Sequence, residues 1–189
     1  MVGPMTLATR AAQAAEELRA GCALVSDGEL EALAQAMTQA RRIVVYGCGR
    51  EGLMMRALAM RLYHLGMDVQ CQGDMACPPV GPGDLLMVSS GPGTLSTVAA
   101  LIAQARNAGA RIACVTAEPN GRDPQAADLR LVIPVQTMAR DQTAATSVLP
   151  MGSVFEGAMF LIFELLVLAL RDLRHESPDS MRLRHTNLE

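Results

Sequence analysis

A strand that stops at a glycine and hands the chain straight to a helix is the feature that most narrows the folds open to this sequence, and it occurs twice. Arg42-Ile43-Val44-Val45-Tyr46 is a β-branched run ending at Gly47, as a strand buried on both faces does, and a glycine loop and a helical pattern follow. A second run over 84–89 enters Ser89-Ser90-Gly91-Pro92-Gly93-Thr94 and then a helix over 95–108. Further strands are expected at 69–72, 111–116 and 131–135, with Pro134 placing the last near an edge. Helical patterns at 6–24 and 30–39 precede them, the second with Ser26 and Asp27 as candidate N-caps. This alternation predicts an α/β fold: a five-stranded parallel sheet flanked by helices on both faces.

The 189 residues suit one domain, with N-terminal helices about 6–39, an α/β core about 42–173 and a tail about 177–189. Aromatic residues are 3% with no Trp, so aliphatic side chains and 13 Met must fill the core. The net charge of −3 comes without a Lys/Arg block, which argues against nucleic acid as a partner. Five cysteines, with no C-x-x-C pair, argue against a disulfide framework or structural zinc, so no metal site is expected. The N-terminus does not read as a secretory signal, and a cytoplasmic protein is expected. The apolar stretch 154–170 is short for a membrane span and carries Glu156 and Glu164, so a buried helix is expected rather than a membrane contact. That helix is apolar on nearly every side, which predicts a partner surface and a homo-oligomer. Residues 136–151 read as a long loop, and Ser177-Pro178 as a helix start.

Gly47-Cys48-Gly49-Arg50-Glu51-Gly52 satisfies the G-x-G-x-x-G dinucleotide pattern, and Asp74 stands near the end of the next strand, where a ribose-binding acid would. Glycines let backbone approach a ligand closely, and the helix that follows offers unpaired N–H groups to an anion. The second loop is not required by a dinucleotide site, and its Ser90 and Thr94 carry hydroxyl donors for phosphate or sugar oxygens. Two ordinary β-to-α turns are the competing explanation. Together the loops favour a ligand site containing Gly47, Gly49, Arg50, Glu51, Ser89, Ser90, Gly91, Gly93 and Thr94. Arg50 can meet an anion bidentately or pair with Glu51. Arg61 reads as structural, and His64 as facing a pocket or a subunit boundary.

The string Ala57-Leu58-Ala59-Met60-Arg61-Leu62-Tyr63-His64-Leu65-Gly66 resembles the corresponding helix of the 6-phospho-3-hexuloisomerases, members of the sugar isomerase (SIS) domain family. Gly83-Asp84-Leu85-Leu86, Leu149-Pro150-Met151-Gly152-Ser153-Val154-Phe155-Glu156 and the ending Met181-Arg182-Leu183-Arg184-His185-Thr186-Asn187-Leu188-Glu189 are similar to the same family, in order. The resemblance implies a flavodoxin-like three-layer sandwich, a homotetramer with sugar-phosphate sites near subunit boundaries, and no metal or redox cofactor. The reaction implied is interconversion of 3-hexulose 6-phosphate and fructose 6-phosphate through an enediol.

The resemblance makes Glu156 the candidate base, since a carboxylate in an apolar helix is pushed toward a useful pKa by desolvation; a Glu paired with Arg is the plain alternative. His185 is the second catalytic candidate, in a tail that can reach a neighbouring subunit, and simple solvation is its alternative. Against the family pattern, Glu51 stands where a serine contacts the ligand, and Pro92, Thr94 and Leu95 replace the second loop's serine, glutamate and threonine. Asp74 and Cys77 replace a glutamate and a threonine. Either Glu51 points away and pairs with Arg50, or the substrate is not the ordinary hexulose phosphate. The readings that remain are an isomerase of a sugar phosphate, an isomerase with a less phosphate-dependent substrate, and a non-catalytic sugar-binding protein.

Overall fold

The computed structural model describes residues 5–141 and 147–188. The N-terminal residues used to exclude a secretory signal, the middle of the 136–151 loop and Glu189 of the tail lie outside them.

Two helices open the described chain. Helix α1 (Leu7–Cys22) starts under the Thr6 side chain, and α2 (Asp27–Gln39) starts under Ser26, which accepts from the Glu29 N–H; Asp27 is the first helical residue, not the cap. The expected start at residue 30 is therefore three residues late. The core then alternates: β1 (Ile43–Gly47), α3 (Gly49–His64), β2 (Val69–Cys71), β3 (Leu85–Ser89), α4 (Ser96–Asn107), β4 (Arg111–Thr116), α5 (Arg122–Gln125) and β5 (Leu129–Val132). A long helix α6 (Ser153–Leu173) and a short α7 (Pro178–Leu183) finish the chain, with Ser177 capping α7 and Pro178 in its first turn.

All five strands are parallel, in the order β2-β1-β3-β4-β5. Successive strand residues face opposite layers. Ile43, Val45, Leu85 and Met87 pack under α2, α3 and α6, whereas Val44, Leu86 and Val88 pack under α4. Both faces of the central strands are thus apolar, which is why their sequences read as continuous hydrophobic runs. The last strand sits two residues earlier than expected: Ile133 is fully buried but only Leu129–Val132 pair with β4, and Pro134 lies beyond the ladder. This edge is covered from α2, where a Glu29 oxygen accepts the Val132 N–H at 2.8 Å.

Helix α6 is long and apolar enough by composition to cross a membrane, yet Phe155, Met159, Ile162, Phe163 and Leu166 are buried in the main core against α2 and α3. It is the sandwich's central helix on that face. Its outer stripe, Phe160, Leu161, Leu165 and Leu168, stays exposed.

Candidate active site

In a parallel sheet, ligands bind beyond the carboxyl ends of the strands, where successive connections leave in opposite directions. Here the chain goes from β1 to β2 on one side and returns to β3 on the other, so that point lies between β1 and β3. Gly47 at the end of β1 pairs in register with Ser89 at the end of β3, which brings the two glycine loops side by side.

The first loop owes its glycines to close backbone approach. A methyl group on Gly52 would stand 2.5 Å from the Gly47 carbonyl oxygen, and one on Gly47 would stand 2.9 Å from the Gly52 nitrogen. Gly47 and Gly52 therefore have a packing role that needs no nucleotide. Asp74 pairs with Arg56 at 3.0 Å, both side chains well exposed, and does not face the cleft.

Glu51 turns inward. Ser89 Oγ donates to Glu51 Oε2, and the Gly91 N–H donates to the same oxygen at 3.0 Å. The expected alternative, Glu51 pointing away to pair with Arg50, is not what the fold does; Arg50 is exposed, with no hydrogen bond or ion pair among the described residues. Burial pushes the Glu51 carboxyl above its ordinary range. The bonds from Ser89 and Gly91 pull it partly back, and nearby Glu156 raises it again.

The second loop is likewise occupied from within. Asp123, fully buried, accepts from Ser90 Oγ at 2.8 Å and from the Leu95 N–H at 2.6 Å, and Arg122 pairs with it at 3.1 Å. Thr94 Oγ1 accepts the Arg122 N–H at 3.3 Å, and Gly93 donates to the Ser90 carbonyl at 2.8 Å. Sequence reasoning missed Asp123; its signal was Gly121-Arg122-Asp123-Pro124, a turn followed by a helix start.

A cleft of about 400 Å³ opens beside the loops, within the size range of small-molecule sites. Arg50, Glu51, Thr137, Met151, Phe155 and Glu156 are among its lining residues. Glu156 comes from the first turn of α6, and its Oε2 is buried without a hydrogen-bond partner among the described residues; so is the Thr137 hydroxyl. Two buried polar groups without partners in one cleft are groups a ligand can satisfy. Thr137 lies inside the segment 136–151 read from the sequence as a long loop, without being singled out there.

The sequence-derived site residues thus divide. Gly47, Gly49, Arg50, Glu51, Ser89, Ser90, Gly91, Gly93 and Thr94 stand at the two adjacent strand-to-helix junctions, and Glu156 faces the same cleft. His185 does not: its ring lies 5.2 Å from that of His64, at the far end of α3, about 20 Å from the first loop at the helical rise per residue. Arg61 pairs with Glu164 of α6 at 3.0 Å, the structural role expected of it. Among the described residues no group of His, Cys, Asp and Glu is arranged to hold a metal ion.

Residues 36–161 match the SIS domain. The chain belongs to the SIS-domain family. This SIS-domain chain is 36% identical to a 3-hexulose-6-phosphate isomerase of Mycobacterium gastri, over 92% of its own length and 87% of the relative's. It is 30% identical to a protein of the same name from Bacillus subtilis, over 94% and 96% of the two chains. Among solved structures, a Methanococcus jannaschii protein, whose structure was reported as inferring a 3-hexulose-6-phosphate isomerase function, superposes with a TM-score of 0.82 and 25% identity, over 95% of this chain and 98% of that one. The five-stranded parallel SIS fold expected from the sequence is therefore the fold the chain has.

Proposed function

We propose that this SIS-domain chain is a sugar isomerase of the sugar-phosphate class, moving a carbonyl between adjacent carbons through an enediol. The observation that carries the reading is Glu156, a carboxylate in the first turn of an apolar helix, facing the cleft with one oxygen buried and without a partner. The relatives named 3-hexulose-6-phosphate isomerase support the reaction class.

The chemistry follows from that placement. The Glu156 carboxylate takes the proton from the carbinol carbon next to the carbonyl; the C–H electron pair becomes the enediol double bond, and the carbonyl oxygen gains a proton. The enediol collapses in the other sense when Glu156 returns the proton to the former carbonyl carbon and the neighbouring oxygen loses its own. The carbonyl has then moved by one carbon, with no net oxidation. His185 stands too far from Glu156 within one chain, so its assistance requires the tail of a second copy, in a homo-oligomer whose clefts lie near subunit boundaries.

Proton exchange into fructose 6-phosphate, followed by NMR in deuterated water, tests this. Wild type is expected to exchange, and Glu156→Gln to lose at least about a hundredfold of the rate, as removal of a general base does. No exchange with any sugar phosphate tried, or full exchange in the variant, overturns the reading. A second reading, sugar binding without turnover, draws on the internally occupied loops; thermal stabilisation by a sugar with no turnover would favour it.

A further inference from the structure

Four donors of the second loop are already used. Ser89 Oγ and the Gly91 N–H serve Glu51, Ser90 Oγ and the Leu95 N–H serve Asp123, and Pro92 has no N–H to give. The Glu51 carboxylate thus sits where an anion would meet that loop. There is little room for a rival: a methyl group on Gly91 would stand 2.7 Å from Glu51 Oε1 and 2.8 Å from Phe155 Cε1.

The charge of the cleft argues the same way. Its lining holds two carboxylates, Glu51 and Glu156, against one guanidinium, Arg50, which is exposed. A phosphate dianion entering between the loops would face carboxylate charge at close range in a half-buried site, where such repulsion is weakly screened. Carboxylates accept hydrogen bonds and do not donate them, and so does a phosphate; the two cannot satisfy each other. The buried groups of the lining that remain unpartnered among the described residues are Glu156 Oε2, an acceptor, and the hydroxyl of Thr137, a residue 4% exposed. A buried carboxylate oxygen beside a buried hydroxyl fits a ligand that brings O–H donors of its own.

We propose that Glu51 sets the specificity of this cleft: it holds the seat between the two loops against phosphate, so the sugar enters there by its hydroxylated end. The proposal rests on the cleft being the sugar site, and it narrows the substrate to one that keeps any phosphate outside that seat.

The test uses inorganic sulfate as the probe, read at the backbone amides of Ser89 and Gly91 by NMR, and needs no turnover. Wild type is expected to show no saturable shift at these amides. Glu51→Ser, and Glu51→Ala as a second variant, are expected to show saturable shifts with an apparent affinity at least about tenfold higher, the equivalent of about 1.4 kcal/mol. Saturable binding at these amides in wild type overturns the proposal whether or not either variant folds, and so does a folded variant that stays unresponsive. In the exchange assay, the preference for fructose 6-phosphate over fructose is expected to rise at least about tenfold in Glu51→Ser. An unchanged preference overturns the orientation, whereas absence of exchange on both sugars bears on the isomerase reading and leaves the sulfate result standing.

Discussion

Glu51 accepts two hydrogen bonds from the second loop while burial works against its charge, and the balance leaves its carboxyl above the ordinary value of 4.5. A carboxyl whose folded-state pKa is raised binds its proton more tightly in the folded chain. Its contribution to stability is fully present below the unfolded value and is lost as pH rises through the folded one. The groups around it are Glu156 from α6, the Cys114 thiol of β4, whose pKa burial pushes up, and the exposed Arg50 on its own helix. Glu51→Gln keeps an acceptor for Ser89 and Gly91 but does not titrate. The variant is therefore expected to gain on wild type in melting temperature as pH rises from about 4 to about 7.5. A gap that does not change with pH contradicts the assignment. The sequence marked Glu51 as the departure that mattered, but not its direction. That direction depends on Gly47 pairing with Ser89 across 41 intervening positions, which no local pattern encodes. Ser90 and Thr94 were read as ligand donors for the same reason: their partners Asp123 and Arg122 arrive from a different loop.

At the scale of elements, β4 was legible to the residue, because a β-branched run bounded by Gly109 and the turn after Thr116 leaves little choice. The strand β5 was not, because its apolar run records burial, which continues through Ile133, whereas pairing stops at Val132. Helix α5, four residues long, is too short to show a period and went unread. The entry to α6 is the element most shaped by the site. Met151 there has φ of 55° and lines the cleft, followed by Gly152 at 70°, and this pair turns the chain into the helix that carries Glu156. A left-handed conformation costs a residue with a Cβ about 1–2 kcal/mol, and Met151 is 64% exposed, so little packing offsets it. Met151→Gly is expected to raise stability by about 1 kcal/mol, read as a higher urea midpoint with an unchanged slope. A lower midpoint would show that the side chain contributes more than its backbone costs.

For the whole molecule, layer count and strand direction followed from the alternation of elements, whereas the order β2-β1-β3-β4-β5 did not, since the pattern does not say on which side of β1 each strand is added. The order is what creates the cleft. It also makes α6 a shared problem: buried residues fill its inner face, yet Leu161, Leu165 and Leu168 remain 40%, 49% and 46% exposed on its outer stripe. Leu165 and Leu168 line a shallow groove with Arg61 and Met181, so the apolar surface continues toward the tail. We propose that a second copy covers this stripe and that the same assembly carries His185 toward a partner's cleft. Light scattering on wild type is then expected to report a homo-oligomer, and the double variant Leu165→Glu/Leu168→Glu a monomer, because buried like charges at a symmetric contact meet their own copies. Both side chains face outward, so the variant should keep the wild-type circular dichroism and a cooperative melt. If the tail completes the site across the boundary, proton exchange falls with assembly and returns in mixtures that restore it. A folded, monomeric variant with undiminished exchange would place the whole reaction within one chain and leave His185 without a part in it.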